Sequence, residues 1–160
     1  MIKIKIIALG RLKEKYLREA CDEYIKRLGG FAKTEIIELE PTRLGENPSQ
    51  AEINHALLSE AETIKKKIGD VSTIIVMCIE GKMYSSEELH KELDKRINSG
   101  DGSFVFIIGS SYGLHPEIKA LADIKLSFSP MTFPHQLFRV MLLEQVYRSF
   151  KIGEGAKYHK

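Results

Sequence analysis

The chain has 160 residues, of which 43% are hydrophobic and 29% are charged, and its formal net charge at pH 7 is +2. These values are typical of one ordinary soluble domain. A chain of this length can bury a stable core without disulfide bonds or structural metal ions. No stretch reaches the ~20 consecutive apolar residues of a membrane span, and a charge this close to neutral neither requires nor excludes a nucleic-acid partner.

The two cysteines indicate a reducing environment. Cys21 falls in a helical pattern and Cys78 inside an apolar strand pattern, so both are predicted to be free, buried thiols; a disulfide or a metal pair is the alternative. No signal peptide is visible, because Lys3 and Lys5 interrupt the first apolar run. We therefore expect a cytoplasmic protein.

The first half of the chain alternates between strand and helix patterns. Its predicted elements, in order, are a strand at 2–9, a helix at 12–28, a strand at 34–39, a polar loop at 41–49 and a second helix. Gly29 and Gly30 end the first helix, and Ser49 with Glu52 has the pattern of a capping box at the start of the second.

The second half continues the alternation. Its predicted elements are a strand at 71–79, a helix capped by Ser85 and Glu88, a turn at 98–102, a strand at 104–108, a short helix beginning near Pro116, a strand at 124–128 and a last helix opened by Pro134. Five strand-helix units in a row predict an α/β fold, with a mostly parallel sheet and helices on both faces. We expect a single domain over residues 1–160.

The last helix is apolar over most of its circumference between residues 137 and 150. Such a helix must be covered on most sides, and a domain of this length has little left to cover it with. The pattern therefore predicts a second copy of the chain against it, in a two-fold homodimer. The alternative is that the C-terminal tail folds over the helix.

Two bends late in the chain are the candidates for a ligand site. One follows the strand at 104–108 and spans 109–113; the other, at 127–133, follows the next strand. Ligands of α/β proteins bind outside the carboxyl ends of the strands. Gly109 would let a ligand approach the backbone, and the apolar residues of the second bend, stiffened by Pro130, suit a flat heterocycle such as adenine. The alternatives are a plain tight turn and a loop packed under the last helix.

Other candidate side chains give weaker signals. None of the five histidines has metal-ligand spacing with another histidine, cysteine or carboxylate, so no metal site is predicted. His115 and His135 lie at helix starts beside the expected cleft and could contact a ligand, cap a helix or be satisfied in the core. Basic residues after the first strand and along the last helix would form a phosphate-binding surface if they flank the cleft; scattered solvated charge is the alternative.

Several runs of the sequence are shared with one known family. They lie at 104–109, 126–140, 143–152 and 158–160, with shorter matches at 24–28, 81–83 and 85–86. Over essentially its whole length the chain resembles the bacterial ribosomal RNA large subunit methyltransferase H family. The run that begins at Leu126 and the terminal Tyr158-His159 pair are the most specific of these matches.

The resemblance implies a SPOUT methyltransferase, an α/β domain with a deep C-terminal trefoil knot that acts as a homodimer. It implies an enzyme that uses S-adenosylmethionine to methylate N3 of a pseudouridine in 23S ribosomal RNA, on assembled ribosomes. The helix and strand pattern gives no sign of a knot, and the general rule for protein topology argues against one.

The resemblance also assigns residues to roles. The residues implied to bind the cofactor are Met77, Gly109, Phe128, Ser129, Pro130, Met131, Thr132 and Phe133. His159, with Tyr158, is implied to be catalytic, acting from the partner subunit on the other subunit's cleft. Arg139 and Arg148 are predicted to contact RNA; Arg139 could instead bind the cofactor carboxylate or form a structural ion pair at the dimer interface.

The chain departs from the family pattern at two places. Ser110 stands where the family usually has a second glycine, and the tail carries Glu154 and Lys157 at positions where other residues are usual. Two other functions stay open at this point: a SPOUT methyltransferase of another base in transfer or ribosomal RNA, and a non-catalytic ribosome-associated factor with the same fold.

Overall fold

A computed structural model of the chain describes residues 1–155, which form five strands and five helices. The strands are β1 (Ile2–Leu9), β2 (Ala32–Leu39), β3 (Thr73–Met83), β4 (Ser103–Ile108) and β5 (Ile124–Ser127). The helices are α1 (Lys15–Leu28), α2 (Gln50–Ile68), α3 (Ser86–Asn98), α4 (Pro116–Ala120) and α5 (His135–Gly153). The predicted alternation of strands and helices is confirmed.

The strands form one parallel sheet in the order β2-β1-β4-β3-β5. Residues of the central strand β4 are almost fully buried, as a strand covered on both faces requires. One core cluster joins the sheet to α1, α3 and α5, and a second joins its other face to α2 and α4. The predicted parallel sheet with helices on both faces is therefore confirmed, and the trefoil knot stays a prediction.

The strand β3 differs most from its prediction. It begins two residues later than expected and continues to Met83, past the polar residues Glu80 and Lys82 that made the sequence look like a strand end. Both Met77 and Lys82 face Leu126 of β5, so the four residues between them leave the ladder as a bulge. This bulge projects at the end of the sheet where the candidate site lies.

The helix caps follow the sequence closely. Ser85 and Glu88 form the predicted reciprocal capping box. At α2 only half of the predicted box is present: the Ser49 hydroxyl accepts from the backbone N–H of Glu52 at 3.1 Å and also contacts the Glu52 carboxylate. His115 caps α4, since its Nδ1 accepts from the backbone N–H of Glu117 at 3.1 Å.

The last helix packs between α1 and α3, which leaves part of its apolar surface incompletely covered. Leu142, Leu143 and Val146 are buried in the first core cluster. Leu137, in contrast, is 40% exposed, and the other apolar residues of α5 are only partly buried. The surface that led to the prediction of a partner chain is therefore present, whereas the tail that was the alternative cover lies largely outside the described residues.

Candidate functional site

A cavity of about 420 Å³ opens at the carboxyl ends of β3, β4 and β5. Its walls are three chain segments, at 77–80, at 108–114 and at 126–133 without Pro130, together with side chains from α4 and the start of α5. We call it the first cavity. The two bends that the sequence singled out lie side by side in it, as expected for an α/β ligand site.

The first bend is a tight turn that only glycine can begin. A Cβ on Gly109 would lie 2.7 Å from the Leu114 side chain and closer still to the Gly113 carbonyl, so no side chain fits there. The N–H of Gly113, whose φ is +86°, donates to the Ser110 carbonyl at 2.9 Å and closes the turn. The turn therefore presents backbone directly at the cavity wall.

The second bend both packs under the last helix and lines the first cavity. The Phe128 ring lies 4.8 Å from the Phe138 ring of α5, centroid to centroid. The Ser129 hydroxyl accepts from the backbone N–H of Met131 at 3.0 Å and holds the bend in shape. The two interpretations of this loop in the sequence, ligand contact and helix packing, are thus compatible.

His135 joins the start of α5 to the first bend. Its Nε2 contacts the Gly109 carbonyl oxygen, which can only accept, so Nε2 carries the proton. Burial lowers the pKa of His135, and the nearby Arg139 charge lowers it further, against the effect of the bond to Gly109. The ring is accordingly neutral near physiological pH.

Arg139, one turn further along α5, is 1% exposed. Its Nη1 pairs with Glu38 of β2 at 2.7 Å and its Nη2 donates to the Gly10 carbonyl at 3.0 Å. An RNA phosphate could reach Arg139 only if this ion pair opened. The geometry supports the structural role among the predicted alternatives, with the correction that the pair lies within one chain rather than across a dimer interface.

The bulge of β3 forms a further wall of the first cavity. A Cβ on Gly81 would lie 2.7 Å from the Lys125 carbonyl oxygen, so glycine is what lets the bulge lie against β5. Glu80 in the bulge pairs with Lys119 of α4, and both line the first cavity. The hydrogen bond from Lys119 lowers the pKa of Glu80, so this pair is charged.

The predicted site residues fall into three groups. The predicted cofactor residues that line the first cavity are Met77, Gly109, Phe128, Ser129, Met131, Thr132 and Phe133. Pro130, which was also predicted, does not line it. Arg148 lies on α5 away from the cavity wall, with its Nη2 2.6 Å from the Glu144 carboxylate. Tyr158 and His159 lie outside the described residues.

Sequence reasoning missed several residues of this edge. Glu80 and Lys119 gave no signal, because their pairing joins segments 39 residues apart. Glu60 could have been found from the sequence, because it lies on the apolar face of α2, four residues from Ala56 and four from Ile64. The structure shows that Glu60 is buried. Within residues 1–155, no group of three or more histidine, cysteine or acidic side chains is arranged to hold a metal ion.

No helix within that part of the chain is both long and apolar enough to cross a membrane. Residues 2–159 match a family model described as "Predicted SPOUT methyltransferase".

Three solved structures share the fold. A probable methylase family protein from Haemophilus influenzae Rd KW20 is 16% identical, with a TM-score of 0.57 over 99% of this chain and 70% of its own. A tRNA (m1G37) methyltransferase from Aquifex aeolicus is 13% identical, with a TM-score of 0.51 over 92% and 69% of the two chains. A putative methylase family protein from Neisseria gonorrhoeae is 12% identical, with a TM-score of 0.51 over 90% and 81%.

Proposed function

The chain belongs to the SPOUT methyltransferase family, and we propose that it transfers the methyl group of S-adenosylmethionine to N3 of a pseudouridine in 23S ribosomal RNA on assembled ribosomes. The observation that carries the methyl-donor part is the first cavity, walled by the bends after β4 and β5. The choice of RNA and base rests on the resemblance of the runs at 126–140 and 158–160 to the ribosomal RNA methyltransferase family.

The residues of the first cavity fit S-adenosylmethionine. Its volume of about 420 Å³ falls in the usual range for small-molecule sites. Phe128 and Phe133 offer apolar surface for the adenine ring, with backbone groups of the same bend beside them. The charged pair of Glu80 and Lys119 offers one partner for the amino group and one for the carboxylate of the methionyl part.

When bound, S-adenosylmethionine supplies a methyl group on a positively charged sulfur, which is already a good leaving group. The chain therefore mainly has to hold the donor and the acceptor nitrogen in line. The fixed turn at Gly109 and the packed bend at 127–133 provide rigid walls for this. Since His135 lines the first cavity and is neutral, it would add no positive charge to the site of a positively charged donor.

The acceptor nitrogen must lose a proton, because N3 of a pseudouridine is mostly protonated at neutral pH. We propose His159, with Tyr158, as the catalytic residues that assist this loss from the partner subunit. This assignment rests on the match of the tail to the family. It requires the homodimer, which we propose from the incompletely covered apolar surface of α5.

For the RNA contact we propose Arg148 rather than Arg139. The Arg148 side chain is partly exposed on α5, where its charge can attract a phosphate. Both arginines are paired with a glutamate, but the Arg139 side chain is only 2% exposed, against 24% for Arg148.

The decisive experiment supplies methyl-labelled S-adenosylmethionine to the protein with ribosomes, free ribosomal RNA or transfer RNA. We expect label in ribosomes only, recovered as N3-methylpseudouridine after nuclease digestion and mass spectrometry. Label in transfer RNA or in another base would replace the proposed substrate. Calorimetry that detects no S-adenosylmethionine binding would instead favour a non-catalytic factor.

The catalytic assignment has its own test. His159→Ala should leave the Kd of S-adenosylmethionine unchanged and lower turnover by about 10²-fold or more, the usual contribution of a proton-transfer group. The control is His55→Ala, which removes an exposed histidine from α2. Turnover equal to that of the control would remove His159 from the mechanism.

A further inference from the structure

A second cavity, of about 240 Å³, lies on the side of the sheet that α2 covers. Its walls are the loop between β2 and α2, one face of α2, and the turn residues Ser110, Ser111 and Tyr112. The same three turn residues line the first cavity. The turn is therefore a shared wall, and a ligand in the second cavity would lie next to the methyl donor.

Glu60 is the unusual residue of the second cavity, because it is an acidic residue that is only 6% exposed. Burial raises its pKa, while hydrogen bonding from the Ser110 hydroxyl and from the backbone N–H of Thr42 opposes the rise. No lysine or arginine of residues 1–155 forms an ion pair with it. A carboxylate has about four acceptor positions, more than the hydrogen bonds from Ser110 and Thr42 use, so Glu60 can also accept from a ligand that donates N–H groups.

Tyr112 supplies the second feature of a base-binding site. Its side chain is 46% exposed and belongs to the wall of both cavities. The backbone of the turn that carries it is closed by the hydrogen bond from the Gly113 N–H to the Ser110 carbonyl at 2.9 Å. An exposed aromatic ring on a rigid support is a platform on which a nucleic-acid base stacks, for about 1–3 kcal/mol.

We propose that the second cavity binds the uracil ring of a uridine or pseudouridine of the RNA substrate, stacked on Tyr112 with its imide N–H donated to Glu60. This inference rests on the proposed function, since it presumes an RNA substrate at this edge of the sheet. A single-ring base suits the smaller cavity. Cytosine has a lone pair at the same ring position and would be repelled by the carboxylate.

The test is a titration with uridine 5′-monophosphate of the full chain saturated with S-adenosylhomocysteine, followed by ¹H–¹⁵N NMR. Because the first cavity is filled, shifts caused by the nucleotide report on the second. We expect saturable shifts at Thr42, Ser110, Ser111 and Tyr112. Cytidine 5′-monophosphate and 3-methyluridine 5′-monophosphate, which lack the imide proton, should bind about fivefold more weakly or worse, the loss of one hydrogen bond to a charged group.

Variants identify the two contacts. Tyr112→Ala should weaken uridine monophosphate binding about fivefold or more, and Tyr112→Phe should restore it, because stacking needs only the ring. Tyr16→Ala, which removes an exposed ring from α1, is the matched control and should bind normally. Glu60→Leu, whose side chain has no hydrogen-bond acceptor, should abolish the preference for uridine over 3-methyluridine monophosphate while S-adenosylhomocysteine still binds.

The inference is overturned if the three nucleotides bind alike, if Tyr112→Ala binds like the wild type, or if the shifts map elsewhere. None of these readouts needs catalysis. Ribosomes that are methylated by a protein with no uridine preference would therefore overturn only this inference. A selective second cavity in a protein that methylates no RNA would leave the base site in place and remove the proposed function.

Discussion

Arg139 and Glu38 form an ion pair, with 2.7 Å between Nη1 and Oε2, that ties the last helix to the second strand. The same carboxylate oxygen accepts from the backbone N–H of Leu12 at 3.0 Å, and Arg139 also donates to the Gly10 carbonyl. Burial would raise the pKa of Glu38, but the hydrogen bonds from Arg139 and Leu12 outweigh it and hold that pKa below its ordinary value. The pair thus fixes the chain after β1 against the helix that carries His135.

Breaking this ion pair should destabilise the fold. Glu38→Gln leaves the Arg139 charge buried without its counter-ion and should lower the free energy of unfolding by about 2 kcal/mol. This loss is smaller than the usual loss for a fully buried pair, because Glu38 is partly exposed. The matched control is Glu40→Gln, which breaks the pair with Arg11, where both side chains are about 70% exposed. That change should cost less than about 0.5 kcal/mol. Equal losses in urea unfolding would show that burial of Arg139 does not matter.

Adding one methyl group to the first bend should destroy the donor site. In Gly109→Ala the new Cβ meets Leu114 and the Gly113 carbonyl, so the turn has to move. We expect S-adenosylmethionine to bind at least about tenfold more weakly by calorimetry, a loss of about 1.4 kcal/mol.

Gly102→Ala is the control for the change at Gly109. Gly102 precedes the other end of β4, and its Cβ would have open space around it. Its affinity for S-adenosylmethionine should equal that of the wild type. A Gly109→Ala protein that also binds normally would mean that the first bend does not contact the donor.

The fold and the location of the site could be predicted because their signals are local. Apolar runs show where the strands lie, and turn-forming residues such as Gly10, Pro41 and Gly109 show where they end. The carboxyl ends of parallel strands form one edge of the sheet, and ligands of α/β proteins bind at that edge. The bulge of β3 could not be predicted, since its polar residues look like a strand end and only pairing with β5 shows otherwise. The partner of Arg139 lies 101 residues away, and no periodicity encodes such a contact.

His135 should make stability depend on pH. Because burial lowers its pKa below 6.5, the unfolded chain binds a proton at a higher pH than the folded chain does. Its contribution to stability is therefore complete above about pH 6.5 and is lost as the pH falls from there through the lower folded pKa. His135→Gln can still donate to the Gly109 carbonyl but cannot take up the proton.

The measurement for His135 is the urea midpoint of both proteins at a series of pH values. The difference between wild type and His135→Gln should be constant above about pH 6.5 and should shift in favour of the variant as the pH falls below it. Other groups titrate equally in both proteins and cancel. A constant difference across the whole series would show that the ring is not held neutral.

The incompletely covered apolar surface of the last helix should be a subunit interface. Leu137→Glu introduces a charge into apolar surface that the proposed homodimer would bury, and should shift the protein from dimer to monomer in sedimentation analysis. Leu121→Glu is the matched control, because Leu121 just after α4 is 42% exposed against 40% for Leu137. It should leave the dimer intact.

Since the proposed catalytic tail acts across the dimer, Leu137→Glu should also lose methyl transfer while its isolated subunits remain folded by circular dichroism. A wild-type protein that sediments as a monomer, or a Leu137→Glu dimer as tight as the Leu121→Glu dimer, would contradict this arrangement.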